Sequence, residues 1–440
     1  MTDLIIIGGG PGGYRAAAHA AEAGMNVTLI EEAHLGGTCL NCGCIPTKTL
    51  CRNAEIIDTL RKADTFGLSG LSYTLDFARV MERKREVVST LREGVETLLR
   101  SRGVTVVQGT AHFTAPHEVL VGDSVFTAPH IIIATGSEAK LLPIPGIDHP
   151  KVVSSTELLD ITAPPHRLCI VGAGVIGMEF ASIFNSLGTE VTVVEYLREC
   201  LPMLDSDIAK RLRQVLARRG VAFIMQAAVQ QVSDAGVEYE RKGKRATVEA
   251  DLILMATGRV PRTASLQLER AGIATERGCI VTDEHLQTNV EGVYAIGDVN
   301  GRTMLAHAAT AQGLHVVNRL LGRTVTIRLD LVPAAIFTHP EAACVGLTED
   351  ACKAQGITYT CHKGYYRANG KAVAMDETEG MVKLLADGDG CLIGCHIYGT
   401  HAADMVQEVT ALMTTNGTLE QLRDIIHIHP TVNELLTETS

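Results

Sequence analysis

The amino-acid sequence predicts an α/β fold class, with two doubly wound parallel-sheet units related by an internal repeat and a separate α+β domain after them. Three observations carry this. A strand, glycine turn, helix and second strand occur twice in the same register; each copy closes on the same Ala-Thr-Gly tripeptide; and beyond Pro333 the pattern changes to alternating strands mixed with helices. The length of 440 residues agrees, since about 150 residues per domain suggests roughly three domains.

The elements follow in order. Leu4 to Ile7 is an apolar run of the buried-strand type, then Gly8, Gly10 and Gly13 stand in G-x-G-x-x-G ahead of an Ala-rich helical stretch, and Asn26 to Ile30 forms a second strand ending at Glu31. Leu168 to Val171 repeats this, with Gly172, Gly174 and Gly177, a helix around Met178 to Leu187, and Val191 to Val194 ending at Glu195. Glu31 follows Gly8, and Glu195 follows Gly172, by the same 23 residues. A lone G-x-G-x-x-G is weak, but a strand before it, a helix after it and an acid at the tip of the next strand are the context it needs. The glycines let the backbone approach a pyrophosphate at a helix N-terminus, and the acid accepts hydrogen bonds from ribose hydroxyls. Two Rossmann-like dinucleotide-binding units are therefore expected.

Ile131 to Ile133 leads into Ala134-Thr135-Gly136, and Leu252 to Met255 into Ala256-Thr257-Gly258. Ala134 lies 126 residues after Gly8 whereas Ala256 lies 84 after Gly172, so the first copy carries an insertion. It holds a cysteine cluster and an amphipathic stretch, 77 to 100, whose alternating charges suit a solvated helix face. Further on come a strand at Gly292 to Ile296 ending in Gly297 and Asp298, a helix at Thr303 to Leu321, and strands at Ala335 to Thr338, Met381 to Ala386 and Leu392 to Tyr398.

Composition narrows the class. Hydrophobic residues at 46% and charged residues at 20% exclude disorder, and a net charge of −11 without a basic stripe argues against nucleic acid as the main partner. No apolar run of about 18 residues and no export-type start occur, so a cytoplasmic, reduced protein is expected. In that setting clustered cysteines point to catalysis or metal binding. Of the twelve cysteines, Cys39, Cys42, Cys44 and Cys51 fall within thirteen residues.

The segment Gly36 to Lys48 reads GGTCLNCGCIPTK. Cys39 and Cys44 can close a small disulfide loop if Gly43 permits the bend. Pro46 suits the first turn of a following helix, which puts Cys44 at a positive N-terminus where a thiolate is stabilised, with Lys48 one turn further along. A metal site is the alternative, because Cys39-x-x-Cys42 matches a knuckle with Cys44, Cys51 and His34 nearby, although no second knuckle exists. Near the C-terminus, His427, His429 and Pro430 precede a short helical stretch in which Glu434 can reach back to fix an imidazole tautomer.

Together the cysteine segment, the doubled fingerprint, the Asp298 motif and the C-terminal HIHPTVNE resemble the pyridine nucleotide-disulfide oxidoreductase family, and within it the branch that oxidises dihydrolipoamide. The resemblance spans essentially the whole chain. It implies a fold of two Rossmann-like domains, for FAD and NAD, plus a C-terminal α+β dimerisation domain: 1–145 and 263–330 as the two parts of the FAD domain, 146–262 as the NAD domain and 331–440 as the interface domain. It implies that Cys39 is the interchange thiol, Cys44 the thiol next to the flavin, Lys48 a neighbour of the flavin paired with Glu179, and His429 the base oriented by Glu434. FAD would be held by Gly8, Gly10, Pro11, Gly12, Gly13, Glu31, Gly37, Thr38, Lys48, Ala111, Thr135, Gly136, Asp298 and Ala306. NAD would be held by Gly172, Gly174, Val175, Ile176, Gly177, Glu195 and Gly258, with no metal. The implied partners are a second copy of the chain, whose histidine completes the active site, and a lipoyl-bearing carrier protein of a 2-oxo acid dehydrogenase complex or a glycine cleavage type.

Glu195 favours the free 2′-hydroxyl of NAD and repels a 2′-phosphate, which argues against the NADPH-dependent reductases of glutathione-like disulfides. The other alternative is a redox-sensing flavoprotein without turnover. Two features depart from the family pattern: Cys42 between the redox thiols, and a shorter stretch between Ala111 and Pro150.

Overall fold

The computed structural model describes residues Thr2–Ser440. They form two compact units, the first made of the chain up to Thr49 with Ala78–Lys140 and Gly258–Leu329, the second of Leu50–Phe77, Leu141–Thr257 and Asp330–Ser440.

At the centre of the first unit lies a parallel sheet in the order Val293–Ala295, His130–Ile133, Leu4–Ile7, Val27–Glu31, Thr105–Gln108. Leu4 pairs with Val27 on one side and His130 on the other, so this strand is central. It is apolar at every position because both faces are covered. Leu4 and Ile6 join one core cluster with Ala16, Ala17, Val316 and Val317 of the helices Pro11–Glu22 and Ala306–Leu320. Ile5 and Ile7 join another with Phe113, Val119 and Val121 of a three-stranded antiparallel meander, Ala111–Ala115, Glu118–Val121 and Ser124–Thr127. The Ala-rich helix earns its composition here: a Cβ on Gly313 would lie 2.8 Å from the Gly12 carbonyl oxygen, a backbone approach that only small residues allow.

The second unit repeats the plan with a parallel sheet in the order Ala222–Met225, Glu190–Glu195, Arg167–Val171, Leu252–Met255, Val152–Val153 and its own meander, Ala228–Ser233, Gly236–Arg241 and Lys244–Val248. Its other sheet is antiparallel, in the order Ala334–Ile336, Ala342–Gly346, Leu392–Tyr398, Met381–Ala386, Thr360–Tyr365. The helix Ala402–Thr414 packs on it through Met405, Val406 and Val409.

Those two parts of the second unit meet at a buried ionic cluster. Lys383, fully buried, sets its Nζ 2.6 Å from Asp205 Oδ1 and 2.5 Å from Glu349 Oε2. Asp205 caps the helix Ser206–Arg218 by accepting the Asp207 N–H at 3.1 Å, and its other oxygen accepts the Glu349 N–H at 2.9 Å. His396 accepts the Asp205 N–H on Nδ1 at 3.3 Å and reaches the Leu347 carbonyl with Nε2 at 3.0 Å, so it is held as a neutral imidazole. Burial pushes its pKa down accordingly. Burial also works against the Lys383 charge, but the hydrogen bonds to Asp205 and Glu349 outweigh it and raise the Lys383 pKa. Chiefly through its hydrogen bond to Lys383, Glu349 is held down to about 2.

The limits of the two units have local reasons. Ser137–Ala139 pairs antiparallel with Arg259–Pro261, which keeps both segments in the first unit. The Pro145 carbonyl accepts the Val232 N–H at 2.9 Å, which ties 145 to the second unit, where the segment 50–77 also clusters. Among the described residues no helix is long and apolar enough to cross a membrane.

Candidate functional site

The two glycine turns are superimposable in detail. Gly8 has φ +105° and Gly172 φ +106°, values open to glycine but strained for other residues. A Cβ on either would collide with the carbonyl oxygen of Ala134 or Ala256, the first residue of each Ala-Thr-Gly. A Cβ on Gly13 or Gly177 would collide with the carbonyl oxygen of Gly8 or Gly172, so the third glycine of each turn sets how closely helix and strand pack. The middle glycines differ from these: a Cβ on Gly174 would meet nothing within 4 Å, and one on Gly10 only Gly37 Cα at 3.9 Å. Gly10 and Gly174 are the N-caps of the helices Pro11–Glu22 and Val175–Ser186, and neither has a side-chain cap. Each turn is thus a concavity of backbone N–H groups at the positive end of a helix, shaped for a pyrophosphate. Pro11 and Gly12 open the first helix, as Val175 and Ile176 open the second.

The acids at the strand tips behave alike as well. Glu31 accepts the Gly9 N–H at 2.6 Å and the Ala33 N–H at 2.8 Å, and Glu195 accepts the Ala173 and Leu197 N–H groups, both at 2.6 Å. Both are nine-tenths buried or more, with lone pairs left over for ribose hydroxyls. Gly136 and Gly258, at φ +72° and +108°, also face open space.

Around Asp298 the sequence reading missed two partners. Ser137 donates to the Asp298 carboxylate, while Arg259 reaches the Ser137 hydroxyl at 2.7 Å and its carbonyl oxygen at 2.6 Å, with Asp298 itself 3.9 Å away. A signal was present, since Ser137 and Arg259 each directly follow the glycine of an Ala-Thr-Gly. Asp298 lies on the short turn Gly297–Asn300, and Ala306 starts the helix Ala306–Leu320. Thr135 donates to the Arg262 carbonyl at 2.7 Å. Ala111 is buried in the core as the first residue of the meander, paired with Val121.

The redox segment packs directly on the first turn, because a Cβ on Gly37 would lie 2.6 Å from Gly10 Cα. The helix expected after Cys44 is present, and a short helix that was not expected precedes it. Gly37–Cys42 is a short helix carrying Thr38 and Cys39, and Cys44–Arg61 is the longer one, with Pro46 in its first turn and Lys48 one turn after Cys44. Cys39 is hydrogen-bonded to Cys44, and that bond, followed by burial, raises the Cys39 pKa well above the ordinary thiol range, with Lys48 opposing the rise. The hydrogen bond and burial thus favour the protonated form of Cys39, while the helix N-terminus favours negative charge on Cys44. Among the described residues no three His, Cys, Asp or Glu side chains are placed to hold a metal ion.

The second unit holds the remaining residues. Glu179 is buried on the helix Val175–Ser186 and accepts the Phe337 N–H at 2.9 Å. His429 is 81% exposed at its side chain, its Nδ1 2.9 Å from Glu434 Oε1, and the other Glu434 oxygen accepts the Thr431 N–H at 2.8 Å. The Thr431 bond first, and then His429, hold the Glu434 carboxyl below its usual pKa. An ionised Glu434 places the proton of neutral His429 on Nδ1 and leaves the Nε2 lone pair outward, the arrangement of a general base. His427 is different: it is largely buried between Glu408 at 2.8 Å and Thr437 at 2.7 Å, a bracing position. Ile426 and Ile428 on either side of it are 97% and 80% exposed.

A family model described as pyridine nucleotide-disulphide oxidoreductase matches residues 2–313, and one described as the dimerisation domain of that family matches residues 332–440. The chain is 39% identical to a dihydrolipoyl dehydrogenase of Chlamydia muridarum over 445 residues, covering 100% of this chain and 96% of the relative. Among solved structures it is similar to the HOCl-induced flavoprotein disulfide reductase RclA from Escherichia coli, with a TM-score of 0.89, 33% identity and 99% of each chain covered. It is similar also to LpdA from Mycobacterium tuberculosis, with a TM-score of 0.91, 29% identity, and 100% of this chain and 99% of that one covered.

Proposed function

Because the chain belongs to the pyridine nucleotide-disulphide oxidoreductase family, we propose that it oxidises protein-bound dihydrolipoyl groups to the cyclic disulfide, with NAD+ as the final acceptor. The observation that carries this reading is the Cys39–Cys44 pair, bonded thiol to thiol at a helix N-terminus and packed against the first glycine turn. The relatives that share its length and are named dihydrolipoyl dehydrogenase support it.

FAD would be held at the first turn, by Gly8, Gly10 and Gly13 for its pyrophosphate and Glu31 for its ribose, with Asp298, fixed by Ser137 and Arg259, as a further contact. NAD fits the second turn, with Gly172, Gly174, Gly177 and Glu195 in the same roles. When bound, the two cofactors supply the two-electron path away from the cysteines. The protein residues supply the rest. Nε2 of His429 takes the proton of one substrate thiol, and the thiolate attacks Cys39 Sγ in the Cys39–Cys44 disulfide. That bond breaks, a mixed disulfide forms on Cys39, and Cys44 leaves as a thiolate. The second substrate thiol then attacks the substrate sulfur of the mixed disulfide, closing the lipoyl ring and releasing Cys39, whose high proton affinity makes it the thiol of the reduced pair.

His429 comes to this site from a second copy of the chain. Supporting this are its exposure, the exposed Ile426 and Ile428 beside it, and the match of 332–440 to a dimerisation domain. The test is a steady-state panel on flavin-replete protein, pairing dihydrolipoamide with NAD+ and glutathione disulfide with NADPH. Turnover with the first pair and little with the second is expected; the reverse ranking would overturn the reading.

A further inference from the structure

We propose that Cys42 is a second disulfide partner for Cys39, so that the redox centre is a three-thiol exchange site in which the Cys39–Cys44 disulfide isomerises to Cys39–Cys42. This rests on the reading of Cys39 and Cys44 as a redox pair.

Cys39 and Cys42 stand three residues apart in the helix Gly37–Cys42, hence on one face, with Cβ atoms about 5–6 Å apart in regular geometry. A disulfide needs about 3.5–4.5 Å. Cys42 is the last residue of this helix, where the carbonyls lack helical partners and the backbone yields most readily. Gly43 then turns the chain back, at φ −143° and ψ −110°, and a Cβ there would lie 2.9 Å from the Thr38 carbonyl oxygen and 3.3 Å from Cys39 Cα. The Thr47 N–H at 3.1 Å and the Thr47 hydroxyl at 2.7 Å both hold the Gly43 carbonyl. Cys42 and Cys44 are therefore the two residues on either side of a glycine packed against Cys39.

Their neighbours are tied down and Cys42 is not. Asn41 donates to the carbonyls of Leu35 and Gly37 at 3.1 and 2.9 Å and accepts from Arg92 at 3.0 Å, and Leu40 is buried. Cys42 is half-buried and has no hydrogen bond among the described residues, so its rotamer is free to swing toward Cys39. Most other cysteines outside the cluster lack that freedom: Cys169 and Cys344 are in the core, where burial pushes each up to about 12.

The step is an isoelectronic thiol–disulfide exchange. Cys42 loses its proton to solvent, its thiolate attacks Cys39 Sγ, the Cys39–Cys44 bond breaks, the Cys39–Cys42 bond forms and Cys44 leaves as a thiolate that the helix N-terminus stabilises. No oxidant is consumed. The centre keeps its disulfide while Cys44 is unpaired, and Cys39 retains a partner when Cys44 is chemically blocked.

The test uses full-length holoenzyme as wild type, C42S, C44S and C42S/C44S. Each is oxidised with diamide, equilibrated in a glutathione buffer, acid-quenched, denatured and labelled with N-ethylmaleimide, and the labelled cysteine is located by tandem mass spectrometry of the peptide that contains all three. Expected are a Cys39–Cys42 bridge in most C44S molecules, none in C42S/C44S, and in wild type a Cys44-labelled fraction beside the Cys42-labelled one. C44S with Cys39 and Cys42 both labelled, while wild type and C42S keep a Cys39–Cys44 bridge, overturns the inference and leaves the redox-pair reading standing. Absence of a Cys39–Cys44 bridge from both wild type and C42S overturns the two together.

Discussion

Replacing His429 by glutamine lowers kcat for dihydrolipoamide oxidation about 10²–10⁴-fold, the range over which a positioned general base acts. Glutamine keeps a polar group near Glu434 Oε1 but cannot take a proton at working pH. Turnover of NADH with an artificial electron acceptor does not require the thiol proton to be removed, so it stays near the wild-type rate and controls for damage elsewhere. Glu434→Gln gives a smaller loss. Its carboxylate, held down by the Thr431 N–H and by His429, fixes the Nδ1–H tautomer, so its removal lets the imidazole turn and adopt the wrong tautomer, read as a lower kcat with KM little changed. Equal loss of both activities in His429→Gln would show a folding defect, and an unchanged kcat would remove His429 from the machinery.

Lys383→Met destabilises the second unit by about 3–5 kcal/mol, because it leaves the buried carboxylate of Asp205 without its cation. The loss is read as faster amide exchange in the strand Met381–Ala386 and at the start of the helix Ser206–Arg218, the segments that the cluster joins. The pH dependence has a definite sign. Glu349, folded at about 2 against an ordinary 4.5, contributes stability that is full above 4.5 and fades as pH falls toward 2. His396, lowered from 6.5, adds a loss in the same direction that begins as pH drops below 6.5. Without Lys383 the largest part of the Glu349 contribution is lost, with Lys353 and Tyr359 keeping the remainder, so the deficit of the variant is smaller at pH 3 than at pH 7. A variant within about 1 kcal/mol of wild type at pH 7 would mean that the apolar replacement repacks and the cluster is dispensable.

Lys383 also marks where reading the sequence stops working. In Met381–Ala386 an isolated lysine among apolar residues has no local signature of full burial, because its partners lie 178 and 34 positions away. Ser137, Arg259 and Asp298 are likewise brought together from distant segments, and although each stands beside a recognisable motif, nothing local shows that the three meet. The glycine turns were legible because their geometry is local: strand, three glycines and acid lie within one short span, and the first and third glycines of each motif meet a steric demand of their own. The strands Met381–Ala386 and Leu392–Tyr398 fell where expected because each is a mostly apolar run interrupted by one basic residue, Lys383 or His396, and the long helix, expected over 77–100, runs Phe77–Ser101. The two meanders escaped notice, their short strands interrupted by polar turn residues and weak in period. The helix Gly37–Cys42 escaped too, since glycine, threonine and cysteine are poor helix formers and only tertiary packing against Gly10 holds it.

The paired N–H groups that bind Glu195 bear on coenzyme engineering. Ala173 and Leu197 each give their N–H to that one carboxylate at 2.6 Å, close to a helix N-terminus. The side chain proposed to repel a 2′-phosphate is thus also the anion that keeps these donors satisfied. Exchanging it for a small neutral residue removes the repulsion and at once exposes two donors of the kind an incoming phosphate needs. Under the proposed preference for NAD, coenzyme choice would be written as an occupied anion seat that a single residue vacates.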